Sequence, residues 1–239
     1  MDYGDHVSAV ERETHSIVDA FGDAPPDARV PTCPEFSLAD LAAHVGQFTA
    51  LWTHVLCEAA GAEKPPYEPL EAGDDLGAWY QPLADHLLAR LHATTGDAPS
   101  WMWIPDQQTA GSVARRCANE LSIHRYDAQT ASGRTTPLDA AVALDAIDEI
   151  FVMLPVWENP PEGSGRTMLL RATEGERRSI TLGPEGPRID DQQRDADLTL
   201  SASASDLALV LFERPSIGAV QRAGDGAVLD NWYREFRFD

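Results

Sequence analysis

Apolar positions recur at steps of three and four through the first half of the chain, the period of helices that bury one stripe. Between Asp5 and Phe21, the residues Val7, Val10, Thr14, Ile17, Val18 and Phe21 share a side, and the segment stops at G-D-A-P-P-D. A proline-bounded lead-in, Val30 to Pro34, precedes a second helix from Ser37 to Ala60. Its Leu41, Val45, Phe48, Trp52 and Val55 lie along one face, and Ser37 with Asp40 has the pattern of an N-terminal capping box. The loop E-K-P-P-Y-E-P-L-E-A-G-D-D leads to a third helix marked by Leu76, Trp79, Tyr80, Leu83, Leu87 and Leu91. A tryptophan-rich connection, S-W-M-W-I-P-D, leads to a fourth helix from about Thr109, and a fifth runs from about Pro137 to Leu154 with a Pro-Leu start. Four long amphipathic segments in succession predict a helical bundle, with a domain expected over residues 1–157.

The period then shortens. E-N-P-P-E-G-S-G is a Pro/Gly-rich break, after which R-T-M-L-L-R-A-T, R-R-S-I-T-L-G and A-D-L-T-L-S-A-S read as strands separated by turns at E-G-E and G-P-E-G-P. D-L-A-L-V-L-F-E-R reads as a buried helix, and G-D-G-A-V-L-D-N-W-Y-R-E-F as a terminal amphipathic one. Residues 165–239 are therefore expected to form a small α+β domain. A unit of about 75 residues buries too little surface to be viable unless it docks on the bundle.

Chemistry concentrates in the fourth helix. R-R-C-A-N-E-L-S-I-H-R-Y-D (Arg115 to Asp127) places Glu120 and His124 four apart on a stripe otherwise made of Val113, Cys117, Leu121 and Ala128. At that spacing two side chains are roughly 5–6 Å apart at Cβ, close enough to share one metal ion. A carboxylate and an imidazole on an apolar stripe are costly unless something satisfies them, and a shared cation does so. His44 follows Leu41 by three and precedes Phe48 by four, so it points inward from the second helix. Two histidines and a carboxylate with a vacant position are the ligand set of a catalytic zinc. The bland alternative is a surface or capped Glu/His pair that binds nothing.

The remaining candidates have plainer readings. His54, His86 and His92 read as ordinary helix residues, with His86, at the border of the third stripe, as a reserve ligand. Cys117 reads as core packing. Cys33 reads as a small buried side chain, or as a thiol activated by the start of the second helix. Trp52, Trp101 and Trp103 are core or pocket wall.

Charge narrows the partners. With 239 residues and a formal net charge of -21, the chain is a poor candidate for nucleic acid or anionic membranes, both of which a strongly acidic surface repels. Its three cysteines include no C-x-x-C pair, which argues against a disulfide framework and for a reducing, cytoplasmic setting. The N-terminal M-D-Y-G-D-H-V-S has no apolar leader, and no apolar run approaches membrane-spanning length. G-x-S-x-G, Walker A and G-x-G-x-x-G motifs are all absent from the sequence.

The segment V-P-T-C-P-E-F-S-L-A-D-L-A-A-H-V-G (Val30 to Gly46), together with R-R-C-A-N-E-L-S-I-H-R-Y-D, resembles the mycothiol-dependent maleylpyruvate isomerase family. The resemblance implies a DinB-like four-helix bundle followed by a small α+β C-terminal domain, and extends to F-E-R-P (Phe212 to Pro215) and the G-D-G start of the last helix. It implies His44, Glu120 and His124 as ligands of zinc or another divalent metal, mycothiol as the thiol cosubstrate, and a small anionic or electrophilic substrate. Arg214, in F-E-R-P, is implied as a catalytic guanidinium clamping substrate carboxylates, while Arg115, Arg116 and Arg125 flank the metal helix; for all four the plainer reading is a solvated side chain or one paired with an acid. Two positions depart from the family pattern, Asn119 where histidine is common and Tyr126 where tryptophan is common.

A divalent ion with one carboxylate and two neutral imidazoles keeps a net charge near +1, so such a centre attracts an anion, and zinc favours a thiolate. The expected function is a mycothiol-dependent isomerase or S-transferase. Two other classes are compatible with the same residues: a metal-dependent hydrolase using bound water, and a non-catalytic, metal-stabilised binding module.

Overall fold

The computed structural model describes residues 1–57, 69–154, 164–183, 186–189 and 195–236. Two compact units divide them, Met1–Thr136 and Pro137–Asp239.

The first unit is a four-helix bundle of α1 (Tyr3–Gly22), α2 (Leu38–Cys57), α3 (Leu76–His92) and α4 (Ala110–Ser132). Both α1 and α2 pack against α3 and α4. The predicted stripes form the core: Val7, Val10, Ile17 and Phe21 of α1, Leu41, Val45, Trp52 and Val55 of α2, Leu76, Tyr80, Leu87 and Leu91 of α3, and Val113, Cys117, Leu121 and Ala128 of α4 are all buried. Helix α1 starts before its first apolar residue because Asp2 and Asp5 cap each other reciprocally. The Ser37 and Asp40 box also forms, with Ser37 N donating to Asp40 Oδ2 at 2.9 Å and Asp40 N to Ser37 Oγ at 3.2 Å. The Ser37 hydroxyl, donating to Asp40 Oδ2 at 2.5 Å, and then the Ser37 N–H hold the Asp40 carboxyl below its ordinary range. Thr109 caps α4, and Gly133, at φ 71°, ends it in the left-handed conformation that glycine adopts without penalty.

Polar contacts tie the helices together. Arg125 Nε donates to Glu13 Oε2 at 2.8 Å between α4 and α1, both side chains being buried. Arg125 Nη1 also reaches Gln129 Oε1 and the Thr136 carbonyl, each at 2.8 Å. Tyr3 donates to the Leu91 carbonyl at 2.7 Å, and the Thr49 and Tyr80 hydroxyls stand 3.1 Å apart. Gly46 lets α2 approach α3, since a Cβ there would collide with the Trp79 indole.

The expected lead-in to α2 is a small antiparallel ribbon of β1 (Arg29–Val30) and β2 (Cys33–Ser37). Ser37 therefore closes a strand, and α2 begins at Leu38. Its expected end at Ala60, and the first part of the loop after it, lie outside the described residues.

The second unit contains α5 (Ala140–Met153), β3 (Thr167–Ala172), β4 (Arg177–Gly183), β5 (Gly186–Ile189), β6 (Leu198–Ala202), α6 (Ala204–Leu211), β7 (Gln221–Gly224) and α7 (Ala227–Glu235). Its five strands run in the order β5-β4-β3-β6-β7, with β3 and β6 parallel and the other neighbours antiparallel. The three predicted strands are β3, β4 and β6; β5 and β7 are too short and polar to announce themselves. Gly224 ends β7 at φ 106°, so the last helix starts at Ala227, after the G-D-G. Helix α7 hangs from α6 through Trp232 Nε1 to the Leu211 carbonyl and the Tyr233 hydroxyl to the Val210 carbonyl, at 2.8 and 2.9 Å.

The division between units lies before α5, where a boundary after residue 157 had been expected. Helix α5 packs on α6 and β5. Leu138 N donates to Ser205 Oγ at 2.9 Å, and Asp148 pairs with Arg178 of β4 at 2.5 Å, so the fifth helix has its partners in the α+β unit. Among the described residues no helix is long and apolar enough to cross a membrane.

Candidate metal centre

Helices α2 and α4 carry the chemically distinctive residues. His44 sits between Leu41 and Phe48 on α2, while Glu120 and His124 stand one turn apart on α4. Packing of α2 on α4 brings them together. His124 Nε2 lies 3.2 Å from Glu120 Oε1, His44 Nε2 lies 3.8 Å from the same oxygen, and the donor atoms of all three residues fall within 4.8 Å of one another. The two imidazole rings meet edge to face at 4.8 Å between centroids.

Donors at about 2.0–2.2 Å from a tetrahedral ion are themselves roughly 3.3 Å apart, so this cluster fits one divalent metal with small adjustments. The chemistry of the donors agrees. Asp127 Oδ2 stands 3.0 Å from His124 Nδ1, which leaves Nε2 as the ring atom facing Glu120. Asp127 is fully buried and also accepts from Cys33 Sγ at 3.7 Å. Arg116, one turn before Glu120, forms an ion pair with Glu120 Oε2 and leaves Oε1 for the cluster. Burial and then the neighbouring His124 push His44 down to about 4, so it offers a lone pair throughout the neutral range.

Beyond His44 along α2, Phe48 packs on Trp52 at 6.1 Å between ring centroids, and Trp52 contacts Trp101 at 6.2 Å and Trp103 at 5.6 Å. The expected core or wall role thus divides: Trp52 is buried, Trp101 half-buried, and Trp103 exposed.

The other sequence candidates separate clearly. His54, His86 and His92 are exposed, and His86 is outside the cluster, which removes it as a reserve ligand. Cys117 is buried in the core. Cys33 lies in β2, ahead of α2, and is half-buried, with its thiol donating to Asp127 Oδ2. Arg214 follows α6 in the second unit, where its Nη1 donates to the Phe212 carbonyl at 2.8 Å. Asn119 and Tyr126, the two departures from the family pattern, are both buried in α4.

Asp127 was not legible from the sequence, nor was the particular acid, Glu120, with which Arg116 pairs. The signal available was spacing, i, i+3 for His124 and Asp127 and i, i+4 for Arg116 and Glu120, which permits both contacts. Periodicity alone does not say which of several arginines and acids pair.

Residues 7–129 match the sequence family described as mycothiol maleylpyruvate isomerase N-terminal domain. The crystal structure of a mycothiol-dependent maleylpyruvate isomerase superposes with a TM-score of 0.66 at 15% identity, over 93% of each chain. A mutant of a mycothiol-dependent maleylpyruvate isomerase gives the same score at 14% identity, again over 93% of both chains. At such identities the likeness is one of fold. No curated protein matches the chain by sequence.

Proposed function

The chain belongs to the mycothiol maleylpyruvate isomerase family, and from that membership we propose that it is a divalent-metal enzyme using mycothiol as a nucleophile toward a small electrophile. The observation that carries this reading is the convergence of His44, Glu120 and His124 to within 4.8 Å, with donor atoms suited to zinc. Zinc or another divalent ion held by these residues supplies a Lewis acid that lowers the pKa of a coordinated thiol, so that thiolate exists at neutral pH. Around it, the chain's own residues set the stage. His44 and His124 donate without adding charge, Glu120 contributes one negative charge, and Asp127 keeps the His124 ring in register.

For cis-trans isomerisation of maleylpyruvate, the thiolate sulfur adds to one alkene carbon and the former double bond rotates as a single bond. Elimination of the same sulfur restores the alkene in trans geometry, with no net change in atoms. S-transfer to an electrophilic alkene shares the first bond-forming step and ends when the resulting carbanion takes a proton from water. Arg214 is the residue proposed to bind a substrate carboxylate, through the fork geometry that guanidinium and carboxylate share.

The test begins with metal content by elemental analysis of protein purified without chelator, with zinc added back. About one metal per wild-type chain is expected, and far less in His44→Ala, Glu120→Ala and His124→Ala. Turnover of maleylpyruvate and a panel of electrophiles should then require mycothiol, and Arg214→Ala should keep the metal but lose rate or substrate affinity. A wild-type chain that stays metal-free after zinc addition overturns the reading, and hydrolysis without thiol replaces it with metal-dependent hydrolysis.

A further inference from the structure

We propose that Arg116 is a positioning residue that reserves the metal centre for an anionic outside ligand, by occupying one oxygen of Glu120 and offsetting its charge. The proposal rests on the metal reading above and concerns what that centre will accept.

A carboxylate can bind a metal through one oxygen or both. Here Oε2 of Glu120 is engaged by Arg116 Nη2, while Oε1 faces His124 and His44. The guanidinium is fixed from a second side, since its central carbon lies 5.9 Å from the centroid of the Phe48 ring, one turn beyond His44 on α2. The Arg116 side chain is only 10% exposed, so water screens the pair weakly. Charge-assisted bonding of this kind competes with a second metal–oxygen bond and holds Glu120 to one donor atom. Three protein donors then leave a position open for an outside ligand.

The same contact changes the charge of the centre. Two neutral imidazoles, the Glu120 carboxylate, the Asp127 carboxylate held against His124 and the Arg116 guanidinium sum to -1, so the centre with a divalent ion keeps a net charge of +1, where without Arg116 it would be neutral. Within a chain of net charge -21 this is a local cationic point, suited to a thiolate or carboxylate and poorly suited to a neutral donor. Arg116 touches Glu120 and Phe48, and its proposed effect on the incoming ligand acts through Glu120 and through space.

The experiment uses full-length protein loaded with Co2+, comparing wild type, Arg116→Gln and Arg116→Lys. 2-Mercaptoethanol is titrated while the thiolate-to-cobalt charge-transfer band is followed, and the intensity of the d–d bands reports coordination number. Glutamine can still donate to Glu120 but carries no charge, so thiolate affinity should fall by about tenfold or more. Lysine should restore it to within about threefold of wild type. Equal thiol affinity in wild type and Arg116→Gln overturns the proposal, as does a loss that lysine leaves unrecovered. Should Arg116→Gln not fold, the wild-type cobalt protein still decides: thiocyanate should bind about tenfold tighter than imidazole, and the reverse order overturns the proposal. A wild-type chain that takes up no cobalt fails before any ligand is added, which marks failure of the metal reading itself.

Discussion

His124 and Asp127 stand one turn apart on α4 with Nδ1 and Oδ2 separated by 3.0 Å, and the carboxylate is fully buried. A histidine whose second nitrogen is held by a buried carboxylate has a defined tautomer and ring orientation, which is what a metal-binding imidazole requires. Asp127→Asn should therefore weaken metal affinity by about 10- to 100-fold. Competition against a chelator of known affinity measures this directly, and an affinity equal to wild type would remove Asp127 from the centre.

The depressed titration of His44 gives a pH signature. Its folded value is about 4 against an ordinary 6.5, so the metal-free folded state refuses a proton that the unfolded chain accepts. The stability associated with neutral His44 is complete above about pH 6.5 and is lost as pH falls through the window down to 4. Urea unfolding of metal-free protein across that range should show stability falling with acidity, and His44→Gln should flatten the slope. Parallel slopes for the two proteins would contradict the assignment.

Gly46 occupies the closest approach of α2 to α3, against Trp79. Gly46→Ala forces the indole or the helix to shift and should cost about 1–3 kcal/mol of stability. Because His44 lies two residues away on the same helix, metal affinity should fall along with the unfolding midpoint. Denaturant titration, with and without zinc, separates the two effects; an unchanged midpoint would show that the contact relaxes freely.

Glu13 and Arg125 join α1 to α4 as a buried pair. Removing one partner leaves the other charge desolvated, so Glu13→Ala should destabilise the protein by about 3–5 kcal/mol, whereas an exposed pair is worth about 0–1 kcal/mol. The exposed Arg134 and Asp23 pair, at 2.5 Å, supplies the internal control through Asp23→Ala. Similar losses from both substitutions would mean that burial is not the deciding factor.

The order of the helices, the buried side of each one and the i, i+4 placement of Glu120 and His124 were determined by the sequence alone. These are local properties: a helix repeats every 3.6 residues, so the chain's own spacing decides which side chains share a face. The inward position of His44 was legible for the same reason, from its neighbours Leu41 and Phe48. Tertiary structure decided what local spacing cannot. It chose α6 and β5 as partners of α5, and folded Cys33 into a ribbon that brings its thiol to Asp127. It also joined Arg116 to Glu120 and Arg125 to Glu13. An apolar stripe specifies that it must be covered, but not by which element. A charged side chain specifies that it needs a partner once buried, but only packing brings one of several acids within reach.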